Sequence, residues 1–218
     1  MKLRIASLTI LCLALAAVPA WANVYDNGPI NGTTDAWTIN FGYVVSDTFF
    51  FPSGSNTVTG FSFGVWEFPG DTMSSVDWSI TDDENGVCPS ETCLGNGTAS
   101  GSSLKDTFIS TNQYGYNIDR IDVSNLSVGV PGGVSLWLNL QNASVPSGDP
   151  VYWDENSGAG CGGQMCPSSA SESAVGTIAS EAFTISSGGT TTTPEPSSIM
   201  LFGSGILGLA GLLRRKLF

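Results

Sequence analysis

Apolar and polar residues alternate with a period of two along much of this chain. Residues 58–66 set Phe61, Phe63 and Val65 against Ser62 and Gly64, and residues 75–81 group Val76, Trp78 and Ile80 on one face. After the turn pair Gly132-Gly133, the run to Gln141 puts Val134, Leu136, Leu138 and Leu140 on one side and Ser135, Trp137, Asn139 and Gln141 on the other. Stretches 37–45 and 48–51, rich in aromatic and β-branched residues, read as further strands, as do 107–111, 117–123, 126–130, 150–154 and 182–186. Turn signals such as Asn27-Gly28-Pro29 and Asn31-Gly32 separate them, and the polar stretch 82–97 reads as a loop. No stretch of residues 23–186 carries a 3.6-residue period with helix caps. The pattern predicts an antiparallel β-sandwich of the jelly-roll kind, each sheet buried on one face.

Both ends of the chain break this pattern. Lys2 and Arg4 precede an apolar run over residues 5–18, and Ala20-Trp21-Ala22 offers an A-x-A cleavage site, so residues 1–22 read as a signal peptide and the mature chain starts at Asn23. Cys12 follows Leu11 and fills that apolar run. Residues 187–193 contain no apolar side chain and read as a flexible linker after a domain spanning 23–186. Next come Pro194-Glu195-Pro196, an apolar run over 199–213, and Arg214-Arg215-Lys216. Fifteen helical residues cover roughly 22 Å against a hydrocarbon core of roughly 30 Å, so flanking residues must complete a transmembrane helix, expected over 197–213. The basic cluster belongs on the cytoplasmic side, which puts everything before Pro194 outside.

A Pro-Glu-Pro motif, an apolar span and a basic tail, in that order at this end, resemble the PEP-CTERM sorting signal of Gram-negative bacterial surface proteins. The resemblance covers residues 194–218. It implies that a membrane-embedded processing protease of the exosortase family recognises Pro194, Glu195 and Pro196. It also implies an exported protein, tethered to the inner membrane as a precursor and then delivered to the cell surface or extracellular matrix.

Charge narrows the partners of the exported part. Residues 23–193 hold two bases, Lys105 and Arg120, against eighteen acids, which leaves a net charge of −16. Nucleic acid and anionic lipid surfaces, which are bound through Lys and Arg clusters, are excluded as partners. Cys88 and Cys93 enclose four residues, as do Cys161 and Cys166, and in an oxidising compartment this predicts two local disulfides. Cross-paired bridges and a four-thiolate zinc site are the alternatives, although C-x4-C is wider than the usual zinc-knuckle spacing.

The chain has no histidine, which removes Ser-His hydrolase chemistry and histidine-ligated metals. Gly60-Phe61-Ser62-Phe63-Gly64 fits the G-x-S-x-G pattern, but its serine sits in mid-strand between core phenylalanines. Asp82-Asp83-Glu84 and Asp154-Glu155, each beside a cysteine loop and followed by Asn85 or Asn156, can be read as solvated acidic loops, as oxygen-rich calcium ligands or as a catalytic carboxylate pair. Trp137 beside Asn139 and Gln141, together with Tyr152, has the ring-plus-amide chemistry of a sugar-binding surface. A covering loop over Trp137 is the alternative, and Trp78 is expected in the core. The expected function is that of a non-enzymatic surface or matrix protein, embedded in exopolysaccharide. A carbohydrate-binding module is the alternative, followed by a carboxylate-based glycan hydrolase. Calcium is the one cofactor this chemistry allows for.

Overall fold

The computed structural model describes residues 23–52, 54–86, 88–156, 162, 165–166 and 168–188. The signal peptide, Cys161, and residues 189–218 with the sorting motif, the expected span and the basic tail lie outside them. Among the described residues the strands are β1 (Asn23–Asp26), β2 (Ala36–Thr38), β3 (Val44–Phe50), β4 (Ser55–Glu67), β5 (Ser75–Thr81), β6 (Cys93–Ser100), β7 (Leu104–Thr111), β8 (Asn117–Val123), β9 (Val128–Pro131), β10 (Ser135–Ser144), β11 (Tyr152–Asp154), β12 (Ala170–Glu172), β13 (Gly176–Ile178) and β14 (Phe183–Gly188).

They form two antiparallel sheets packed face to face. The first sheet is built around β4, whose 13 residues are long enough to pair two strands on each edge. β9 and then β8 run along one edge, β14 and then β11 along the other. β7, β1 and β2 extend the sheet beyond β8, β14 and β11. The second sheet has the order β13-β12-β3-β10-β5-β6.

The core lies between the sheets, where alternation has placed Phe61, Phe63 and Val65 of β4 against Leu136, Leu138 and Leu140 of β10, with Phe49, Trp153 and Phe183 beside them. Burying a side chain of this size contributes roughly 1.5–3 kcal/mol, so these positions fix the register of both sheets. Trp78 is buried edge-on to Phe61, as its position beside Val76 and Ile80 predicts. Ser62 sits in mid-strand with its hydroxyl 2.7 Å from that of Thr184, a structural position rather than a nucleophile elbow.

Several sequence expectations need correction. Residues 37–45 are not one strand: the chain turns at Asn40, Phe41 and Gly42, where the last two have φ of 57° and 89°, and crosses from the first sheet to the second. The following run then continues unbroken as β3. Residues 93–97 are not loop but part of β6, which pairs with β5; its Gly- and Asn-rich sequence shows no apolar alternation because little of it is buried. β1, β12 and β13, each three or four residues long, were too short to signal themselves. Val134 is not on the core face: it precedes β10 and is 46% exposed. The domain also runs two residues past 186, since Ser187 and Gly188 pair with Val58 and Thr57.

Cys88 and Cys93 form the expected local disulfide, with their Cα atoms 5.6 Å apart. Cys166 is also disulfide-bonded, and its expected partner Cys161 lies outside the described residues.

A polar network is buried beside the apolar core. Asp47 shares the inward face of β3 with Val45 and Phe49 and is fully buried. Its carboxylate accepts from the Glu181 backbone N–H at 2.6 Å, from Asn27 Nδ2 at 3.2 Å and from the Ser168 hydroxyl. Asn27 Nδ2 also reaches Ser180 Oγ and the Glu181 carbonyl. One carboxyl group thereby ties β3 of the second sheet to the segment that leads into β14 of the first.

Candidate functional site

The residues that sequence marks for ligand contact fall on two separate surfaces. Trp137 points away from the core on β10, between Thr48 of β3 and Thr81 of β5. It lies half-buried in a groove of about 650 Å³ whose walls include Thr48, Phe50, Ser135, Asp82 and Cys166, so both cysteine-bearing segments contribute. Asn139, two residues on, is buried. The loop after β5 folds over it, with Asn85 hydrogen-bonded to Ser46 and the Gly86 carbonyl accepting from Ser79. Its amide is used internally, donating to Thr81 Oγ1 at 2.8 Å and accepting from Ser46 Oγ at 2.7 Å. Gln141 is half-buried, opposite Val44 and Asp77. Of the three candidates on this strand, Trp137 and Gln141 keep surface.

Tyr152 is on the other sheet. It pairs with Trp66, and on the outer face of β4 and β11 these two belong to a connected set of rings. Tyr114 stacks on Trp66 with centroids 5.7 Å apart and planes at 26°. Tyr116 lies 5.8 Å from both Trp66 and Tyr152, and Phe68 meets Tyr116 edge-on at 5.0 Å. Trp66 is buried under this layer, while Tyr114 is 59% exposed.

Local structure holds the layer in place. The Trp66 indole N–H donates to Asp154 at 2.6 Å. Asp154 also accepts from the backbone N–H groups of Asn31 and Gly32. Gly32 has φ of 63°, and a Cβ there would collide with Ile118. Only glycine lets that loop lie flat beside the rings. Between β7 and β8, Asn112 Oδ1 accepts from the N–H groups of Tyr114 and Tyr116, each at 3.0 Å, so the turn that presents both tyrosines is pre-organised. The Asn112…Gly115 turn signature was present in sequence. That its two tyrosines meet Tyr152 was not, because they come from a hairpin forty residues away.

The acidic candidates do not come together. Asp82, Asp83 and Glu84 are exposed above the second sheet, with Asn85 turned inward. Asp154 ends β11 and Glu155 follows it in an isolated bridge to Glu181, with the two side chains on opposite faces. Asp154 supports Trp66, and Glu155 accepts from the Trp37 indole N–H at 2.7 Å. Burial raises the carboxyl pKa of both above the ordinary range, against those hydrogen bonds.

The strongly perturbed acids are others: Asp47, Glu67, Asp119 and Glu181. Burial pushes Asp47 and Glu67 up to about 8 and Asp119 to about 6. Glu181, fully buried, is held well above the usual range by desolvation and by the nearby Asp47 and Glu155. Asp47, Glu67 and Asp119 occupy inward strand positions, in step with the core residues two places away, and Glu181 lies two residues before the core Phe183. That parity was the signal available in the sequence.

Comparison with known proteins matches residues 192–216 to the PEP-CTERM protein-sorting motif. The motif implies an exported bacterial protein, processed by an exosortase and sorted to the cell surface. No curated protein matches the chain.

Proposed function

We propose that the exported domain is a non-catalytic surface or matrix protein that binds neutral polysaccharide, and that the ring layer around Tyr152 is its principal contact surface. The observation that carries this reading is the contiguous set Trp66, Tyr114, Tyr116, Tyr152 and Phe68, five rings linked through contacts to Trp66 and Tyr116, with Tyr114 largely exposed at its edge. Flat rings supply apolar area to the faces of sugars, and the phenol hydroxyls of Tyr116 and Tyr152 supply orienting polar groups. A surface at −16 repels polyanions, whereas an uncharged glycan is indifferent to that field.

The groove at Trp137 is a second contact on the opposite sheet, and two faces bearing rings suit a protein embedded in a polymer rather than acting on a chain end. A non-catalytic role agrees with the burial of Glu67, Asp119 and Asp47, the acids with the most raised pKa values. We also read the sandwich as jelly-roll-like, because β2 to β3, β3 to β4 and β4 to β5 each cross between sheets. In this reading the tail is cut near residues 194–196 and the domain released into the matrix.

Retention on insoluble neutral polysaccharides tests the proposal. Tyr114→Ala should reduce retention at least tenfold, as expected for losing one stacked ring worth about 1.5 kcal/mol. The thermal midpoint should shift little, since Tyr114 lies outside the core. Wild-type protein that is not retained by any neutral polysaccharide, or a variant retained equally well, would sink the reading.

A further inference from the structure

Near the end of the sandwich where β4 finishes, three acids lie diagonally across the inner face of the first sheet. Val65 of β4 is opposite Asp119 of β8, which places Glu67 one diagonal step from Asp119. On the other edge of β8, Asp106 of β7 is opposite Ile121, again one diagonal step from Asp119. Val65 and Ile121, on the same face, are fully buried, so the three carboxylates share the side that looks into the molecule.

Their partners are incomplete in a specific way. Glu67 is fully buried with neither carboxylate oxygen hydrogen-bonded, and Asp119, 4% exposed, leaves Oδ2 without a partner. Asp106 accepts from the Met73 backbone N–H at 2.7 Å and is only half-buried. The charged groups acting on Glu67 are Asp106, Asp119 and Asp71, all acids. Lys105 and Arg120 point the other way, opposite Asp122 and Gly64 on the outer face, and Arg120 is paired with Asp122 at 2.6 Å. Buried carboxylate oxygens without donors are costly, and in native folds they are neutralised by a proton or by a cation.

We propose that Glu67 and Asp119 are the side-chain ligands of a buried divalent-cation site, and that its ion is calcium. Among the described residues no three acids converge on one point. The ion is therefore held directly by these two carboxylates and completed by water and backbone carbonyls, while Asp106, nearer solvent, lines the entrance. An oxygen-only donor set with two anionic groups from adjacent strands suits a hard cation of flexible coordination, and excludes the softer metals that favour nitrogen or sulfur. The site would fix β4, β8 and β7 together at the end from which the Tyr114 turn springs. It differs from the acidic runs at Asp82 and Asp154, whose side chains are exposed or already engaged.

Thermal unfolding of the full-length chain in detergent at pH 7.5, with EDTA or with millimolar calcium chloride, tests the site. Calcium should raise the midpoint by roughly 5 °C or more. Glu67→Gln should lose most of that shift while being at least as stable as wild type in EDTA, since it spares the fold from taking up a proton to bury this group. If Glu67→Gln fails to fold, Asp119→Asn is read the same way. A midpoint unmoved by calcium in the wild type would overturn the proposal and leave a proton as the neutralising species. So would an equal calcium shift in wild type and both variants, which would place the ion elsewhere.

Discussion

Asp47→Ala should cost about 3 kcal/mol of folding free energy, the largest effect expected of substituting any polar residue in this domain. The side chain is fully buried, and its removal orphans the Glu181 N–H and opens a cavity, while the Asn27 amide falls back on Ser180 and the Glu181 carbonyl and the Ser168 hydroxyl on Ser180. Each orphaned buried donor costs about 1–3 kcal/mol, partly offset where a serine can rotate to another acceptor. The loss is not confined to one sheet, because Glu181 and Ser168 belong to the segment between β11 and β14, Asn27 follows β1, and Asp47 belongs to β3. Asp47→Asn keeps the shape and one acceptor and should cost about 1 kcal/mol. Urea unfolding measures both, and hydrogen exchange over residues 168–181 should accelerate in the alanine variant. A cost below 1 kcal/mol for Asp47→Ala would mean that the network is decoration on an apolar core that holds without it.

The second large effect is a loss of stability as pH rises. Asp47 and Glu67 hold their protons in the folded state up to about pH 8, whereas an unfolded chain releases such protons near pH 4. Between those values the unfolded state binds fewer protons than the folded one, so stability falls with increasing pH and levels off above about 8. One to two retained protons correspond to about 1.4–2.7 kcal/mol per pH unit, and Asp119, raised to about 6, adds to the lower part of the window. Urea unfolding at pH 5, 6 and 7 in EDTA should show this slope, and Asp47→Asn should remove about one proton from it. Calcium should flatten the share that belongs to Glu67 and Asp119, because a bound cation stabilises the charged form. Stability that rises from pH 5 to 7 in EDTA would contradict the burial of these acids.

Strand alternation carried most of the architecture. The runs around Phe61, Trp78, Ile121 and Leu138 all became strands facing one core, because burial on one side of a sheet forces a period of two and leaves few other readings. Where burial is slight the signal fades, and β6, with alternating Gly and polar residues on an edge of the second sheet, passed for loop. The turn at Phe41 was missed because aromatic residues on both sides of it looked like one continuous strand, although Asn40 and Gly42 bracket it.

The proposed binding surface was legible only in pieces. Trp137 and Tyr152 were visible as polar-face aromatics, but pairing across β4 decides which rings meet, and that depends on registers that no local pattern fixes. Asn139 read as surface by parity. It is buried because a loop carrying Asn85, which parity does not address, folds over it. The inward acids were the reverse case: Glu67 follows Phe61, Phe63 and Val65 in strict alternation, and a carboxylate at the fourth core position was a readable anomaly.

The central claim, that rings rather than charges hold a neutral glycan to the outer face of the first sheet, is tested most directly by calorimetric titration. The experiment measures binding of soluble neutral oligosaccharides to the exported protein from 0.05 to 0.5 M salt (on the order of one Debye-length halving or more), alongside Tyr114→Ala. The account predicts binding whose strength does not change with salt and which falls at least tenfold in the variant. Binding that weakens steeply with salt, or that survives Tyr114→Ala unchanged, would contradict it.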